Sequence, residues 1–282
     1  MRRCRTIVPV CLFALLACAP AVSAFSRTSF PVVVGGFLDV HAVMPNGVHE
    51  PDPGPDFGDC IVARYLVEWY GEFRLRRFPR LYFFGNPFFP LGDCIPQESY
   101  DRDADLEGYQ GRFGGGFVIC SNLEYRITHS KWEDVGRYTG EAMPWNSSSL
   151  RIKWNHAGRL VTSGYVEGFY YPPHNEYDPN PGVPHWLRIT ARYGIEAYGE
   201  FRSASFPRLY FFARPLVLFG NTRPHYDYNH DADPMVAQAK CGIGWELQKH
   251  VDLRFTYNKW VDLGVYQGSD DPWTSLSVRL KW

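Results

Sequence analysis

The sequence predicts an all-β chain: twelve antiparallel strands closed into one up-and-down barrel, built from two tandem six-stranded repeats. Three observations predict it. Residues 27–154 align with residues 155–282 without a gap, and more than a third of the aligned positions are identical. Apolar and polar residues alternate with a period of two along most of both halves, which places one apolar and one polar face on each segment, as in half-buried strands. The connections between these segments alternate between short turns and long stretches rich in Pro, Asp and Gly.

The repeat is densest at Ala63-Arg64-Tyr65, Glu68 and Tyr70-Gly71-Glu72-Phe73-Arg74, which recur as Ala191-Arg192-Tyr193, Glu196 and Tyr198-Gly199-Glu200-Phe201-Arg202. Both halves close on one word, Arg151-Ile152-Lys153-Trp154 and Arg279-Leu280-Lys281-Trp282. A fused duplication implies two similar units arranged about a pseudo-two-fold axis. Residues 1–24 precede it as a secretory signal peptide: Arg2, Arg3 and Arg5, an apolar stretch from Ile7 to Ala17, then small residues up to Ala24, where cleavage is expected. That apolar stretch is too short to span a bilayer as an anchor. Leu15-Leu16-Ala17-Cys18 also resembles a lipobox, which implies a lipid on Cys18 instead. Both routes export the chain and leave residues 25–282 as a single domain, with repeats 27–154 and 155–282.

Composition agrees with this class. Aromatic residues make up 17% of the chain and the formal net charge is −1, so the chain has no electrostatic footprint for nucleic acid. No stretch after residue 25 stays apolar for even ten residues, so no transmembrane helix is expected.

The alternation predicts strands over 32–43, 60–74, 79–91, 110–120, 123–136 and 148–154, and in the second half over 160–171, 188–202, 207–219, 238–248, 251–264 and 276–282. Most are long enough to cross a membrane at a tilt, which takes roughly 9–11 residues. Pro87 and Pro90 in the third strand, and Pro215 in its counterpart, predict a bulge or kink, because proline donates no ladder bond.

The final strand places Leu276, Val278, Leu280 and Trp282 on one face and Ser277, Arg279 and Lys281 on the other. Such a last strand, ending in an aromatic, resembles the C-terminal signature of bacterial outer-membrane β-barrels. The resemblance implies a place in the bacterial outer membrane, contact with its lipid, and recognition of the C-terminal strand by the barrel-assembly machinery. Six strands cannot close such a barrel, since eight is the smallest known, but twelve can. Strand six of the first repeat is then expected to pair with strand one of the second, and the reverse seam to close the ring. An even strand count puts both termini on the short-turn, periplasmic side.

Parity assigns the lumen. The first repeat is expected to line it with Arg64, Glu68, Tyr70, Glu72, Arg74, Arg80, Arg126, Arg151 and Lys153. The second contributes Arg192, Glu196, Tyr198, Glu200, Arg202, Arg208, Arg254, Arg279 and Lys281. Two readings stay open: a filled barrel of cross-strand ion pairs, and a water-filled pore whose charged wall selects solutes. Twelve strands lie between the filled eight-stranded and the open 16–18-stranded cases.

Other patterns point to further chemistry. Cys60 and Cys94 lie opposite each other in hairpin register and are replaced together in the second repeat, by Arg188 and Thr222; a disulfide is expected in an oxidising compartment. Cys120 and Cys241 are expected to stay free, packed as small apolar groups. Asp101, Asp103 and Asp105 recur as Asn229, Asp231 and Asp233, a spacing that can converge on Ca²⁺, although the turn glycine and distant glutamate of an EF-hand loop are missing; the alternative is a solvated outer loop. His129-Ser130 is compared with the His-x-Ser-Asn of lipid A deacylases. Here Lys131 takes the Ser place and Trp132 the Asn place, and neighbouring strand residues point to opposite faces. No catalytic set and no cofactor is expected. The sequence therefore points to a passive outer-membrane channel for small polar or anionic solutes, with a closed structural or binding barrel second and a lipid-modifying hydrolase third.

Overall fold

A computed structural model of the chain describes residues 32–43, 62–93, 105–106, 108–134, 143–172, 190–221, 233–263 and 272–282. The expected signal peptide, Cys18, the Cys60–Cys94 pair, Asp101, Asp103, Asn229 and Asp231 lie outside them. So do the side chains of Arg64, Asp105 and Asp233.

Every described element is a strand: β1 (Val32–Val43), β2 (Val62–Leu75), β3 (Leu81–Gly85), β4 (Phe88–Asp93), β5 (Asp105–Leu106), β6 (Gly108–Cys120), β7 (Leu123–Asp134), β8 (Met143–His156), β9 (Leu160–Tyr170), β10 (Thr190–Ser203), β11 (Phe206–Asn221), β12 (Asp233–Gln248), β13 (Val251–Asp262) and β14 (Trp273–Lys281). β3 and β4 are the two parts of one wall strand between β2 and β6. The wall is thus a closed antiparallel ring of twelve strands, with β5 as one extra short strand on β4. Closure removes the open edge strands at which sheets aggregate.

Both expected seams form. β8 pairs with β9 from Ser148↔Tyr170 to His156↔Thr162, and β1 pairs with β14 from Phe37↔Lys281 to Val43↔Ser275. The closing aromatic has a local task here. Gly36 and Trp282 exchange backbone bonds of 3.2 and 3.1 Å, and the indole of Trp282 lies on the surface that Gly36 leaves bare. Trp154 covers Gly164 in the same way at the other seam.

The faces follow the alternation. Phe211 is 55% exposed and its neighbour Phe212 only 3%; Leu276 is 41% exposed and Ser277 only 2%. The outward belt of Phe83, Phe117, Ile127, Ile152, Phe211 and Phe255 is exposed, far more apolar surface than a soluble monomer presents. A closed ring with an apolar exterior and a charged interior is the architecture of a transmembrane β-barrel.

The prolines act differently in the two halves. In the expected strand over 79–91, the ladder breaks at Asn86 and Pro87. The gap is bridged by Asn86 N–H donating to the Arg112 carbonyl (2.7 Å) and Trp69 N–H donating to the Pro87 carbonyl (3.0 Å). β11, by contrast, runs unbroken through Pro215. Its ladder to β12 holds there (Pro215↔Ala239), while its ladder to β10 lapses between Leu216 and Ala213. One missing N–H costs pairing on one side only.

Cys120 and Cys241 are free, as expected, but both are exposed rather than packed. Cys241 sits on the outward parity of β12, beside exposed Ala239 and Ile243. In liposomes holding the chain with Cys241 as its single cysteine, an apolar maleimide is expected to label it and a charged one is not. Equal labelling by both would put that parity on the aqueous side.

Candidate functional site

The polar parities of all twelve wall strands converge on the lumen, where their charges form three levels. The first comprises two matched clamps, one at each seam. Asp39, on β1, is fully buried and accepts from Arg254 Nη1 (3.1 Å) and from Arg279 Nε and Nη2 (3.0 and 2.7 Å). Glu167, on β9, is 1% exposed and accepts from Arg126 Nη1 (3.2 Å to each oxygen), from Arg151 Nε (2.7 Å) and Nη2, and from Ser149 Oγ (2.5 Å). Asp39 and Glu167 occupy aligned positions, as do the two arginine pairs. Each carboxylate sits on the first strand of one half and is held by arginines from the last two strands of the other.

The guanidinium groups are stacked as well as paired. Arg254 lies 3.7 Å from the Phe212 ring centroid and Arg279 4.0 Å from that of Phe37; Arg126 lies 3.8 Å from Phe84 and Arg151 3.9 Å from Tyr165. Those rings need room, and inward glycines on the neighbouring strand supply it. A Cβ on Gly114 or Gly116 would strike Phe84 or Tyr82; one on Gly242 or Gly244 would strike Phe212 or Tyr210. Glycine, ring, guanidinium and carboxylate thus form a stack, and planar, always-charged arginine suits it.

The second level lies by the short turns. Tyr82 Oη donates to Glu124 (2.8 Å), which also pairs with Lys153 (2.6 Å) and Arg74 (3.5 Å). Tyr210 Oη donates to Asp252 (2.8 Å), which pairs with Lys281 (2.8 Å). Arg74 bonds Glu72 (2.6 Å), and Arg202 bonds Glu200 (2.6 Å) and Glu246 (3.0 Å). Tyr70 and Tyr198 donate to Glu72 (3.1 Å) and Glu200 (3.0 Å).

The third level is less evenly paired. Glu196 accepts from Tyr165 Oη (2.6 Å) and pairs with Arg214 (3.0 Å). Its counterpart Glu68 has only the neutral Asn86 amide (3.2 Å) within bonding distance among the described residues. Lys240 and Glu68 attract each other across the lumen, as do Arg112 and Glu196.

Apolar residues close in toward the long-loop end. Leu66 and Trp273 pack with Val43 and Phe88; Trp145, Tyr171, Ala191 and Leu218 pack with Phe169 and Leu216. Between these clusters and the Asp39 clamp, His41 Nδ1 meets Ser275 Oγ at 3.1 Å and His41 Nε2 lies 3.5 Å from Asp39. Both His41 and Ser275 are at most 2% exposed, and Asp39 is also paired with two arginines.

Of the residues expected to line the lumen, Arg74, Arg126, Arg151, Arg254 and Arg279 are among those engaged in these ion pairs. Arg192 is buried beside the β10 bulge between Ala191 and Tyr193. Arg80 and Arg208 are exposed at the turn-end rim. Arg80 belongs to the turn 76–80, and Arg208 lies beyond the last β11–β12 pair, Leu209↔Trp245. Reasoning from strands two, three, five and six missed Asp39, Glu167, Arg112, Arg214 and Lys240. The signal was present: Asp39 and His41 interrupt an otherwise apolar strand, two residues apart on one face. His129 points outward, bonded to Asn146 (2.8 Å), and Ser130 inward, so the two do not meet. Among the described residues no cluster of His, Cys, Asp and Glu is placed to hold a metal.

No family model matches the chain, and no curated protein matches it. Among solved structures it is similar to the Salmonella typhi outer membrane phospholipase dimer with bound calcium, at 13% identity over 92% of this chain and 96% of that one, TM-score 0.47. It is also similar to outer membrane phospholipase A from Escherichia coli (12% identity, 87% and 92% covered, TM-score 0.46). An outer membrane channel from Pseudomonas putida F1 is likewise similar (12% identity, 91% and 97% covered, TM-score 0.46).

Proposed function

We propose that this chain resides in a bacterial outer membrane, with its termini and short turns on the periplasmic side, and passes small polar or anionic solutes through its lumen. The observation that carries the reading is the third level of charge. The charges of the seam clamps and the turn-end belt are all engaged in ion pairs, but Arg112 and Lys240 have no described carboxylate within the 4.0 Å of an ion pair. Charge left over in a low-dielectric wall attracts mobile counter-ions and selects among them.

Proteoliposomes containing the refolded chain are expected to swell in isotonic solutions of small neutral solutes, and faster in small organic anions than in cations of equal size. Absence of swelling with a folded barrel would favour the second reading, a closed barrel that acts through its long connections. The observation behind that second reading is the pair of buried apolar clusters around Trp273 and Trp145 toward the loop end. Hydrophobic constrictions can gate by dewetting.

A further inference from the structure

We infer that Lys240, Arg214 and Arg112 form a binding station for a small oxyanion, a carboxylate or phosphate, midway along the lumen. Arg214 on β11 and Lys240 on β12 are direct cross-strand partners. Both belong to inward parities, since Phe212 and Gly242 beside them meet inside the barrel. Two like charges placed directly opposite each other destabilise a sheet. The wall could have avoided that cost, because the aligned pair in the other half is Asn86 beside Arg112, with a single charge.

One carboxylate, Glu196, makes an ion pair with Arg214 at 3.0 Å and leaves that guanidinium 29% exposed. Lys240 and Arg112 are half-buried, and no described carboxylate lies within ion-pair distance of either. Glu68 and Glu196 attract them from across the lumen without contact. Arg214 offers planar donors suited to bidentate oxyanion recognition, and Lys240 adds a point charge. The seam arginines are already ion-paired, with Asp39 and Glu167. Three positive charges, on Arg214, Lys240 and Arg112, face two carboxylates, Glu196 and Glu68, which leaves the site short of one negative charge that the anion supplies. The station's role in transport rests on the channel reading above, but its binding is measurable without any current.

The test uses inorganic phosphate and the refolded full chain in detergent, with heat-modifiable mobility as the check of folding. Calorimetric titration is expected to detect phosphate binding that weakens by roughly fivefold for each charge removed in Lys240→Gln and Arg112→Gln, the effect of one unit charge about 4 Å away in a watery medium. Arg76→Gln, in an exposed turn, is the control and is expected to bind as the parent does. In planar bilayers, phosphate is expected to reduce chloride current in the parent and to do so less in the two variants. Equal phosphate affinity in parent and variants, or none in the parent, would overturn the station. Binding by a folded chain that passes no current would keep the station and remove the channel.

Discussion

Asp39→Asn is expected to cost the barrel about 3–5 kcal/mol, the penalty for leaving a buried charge unpaired. The aspartate is fully buried and takes three donors from Arg254 and Arg279. A neutral amide keeps the shape but leaves two guanidinium groups inside the wall without a counter-charge. Stacking on Phe212 and Phe37 fixes those groups in place, so they cannot swing out to water. Glu167→Gln is expected to cost a similar amount at the opposite seam, where Arg126 and Arg151 would be stranded. The two clamps share no residue, so the effects should add. Urea unfolding in detergent micelles measures both. A loss below about 1 kcal/mol would mean that the guanidiniums are solvated and the clamps contribute no more than surface pairs.

Gly244→Ala is expected to lose about 2–4 kcal/mol, through overpacking and a stranded buried donor. The added Cβ would collide with the ring of Tyr210, and the ring has no space to retreat into, being only 1% exposed. Moving it breaks the 2.8 Å bond from Tyr210 Oη to Asp252 and lifts the ring from beneath Arg202, whose guanidinium lies 4.5 Å from its centroid. Gly116→Ala should do the same to Tyr82 and Glu124. Gly168→Ala serves as contrast: it has the same loss of backbone freedom and nothing within 4 Å of the new Cβ, so it should be neutral or slightly stabilising. If Gly244→Ala and Gly168→Ala unfold at the same urea concentration, the glycine–ring stack carries no weight.

The wall was largely legible because period-two alternation is a local property. The expected strand over 123–136 and the observed β7, Leu123–Asp134, differ only at one end, and the seams follow from the repeat together with an even strand count. The split of one wall strand at Asn86 was legible as a proline effect, but its form depends on Arg112 and Trp69, which belong to neighbouring strands. The clamps were harder to see. Parity says which face a charge is on, while pairing depends on which strands are neighbours around the ring and at what stagger. Arg151 and Arg279 therefore read only as lumen-facing charges, whereas Glu167, 16 residues along the chain, pairs with the first and Asp39, 240 residues away, with the second. The same three-dimensional pairing leaves the uncommitted charge on Arg112 and Lys240, in β6 and β12.

Conduction through the charged lumen is proposed and is measured by single-channel recording of the refolded chain in a planar bilayer under a salt gradient. Steady conductance is expected, with a reversal potential displaced toward that of the anion. Silence from a correctly folded, heat-modifiable barrel would contradict it, and so would a clear preference for cations.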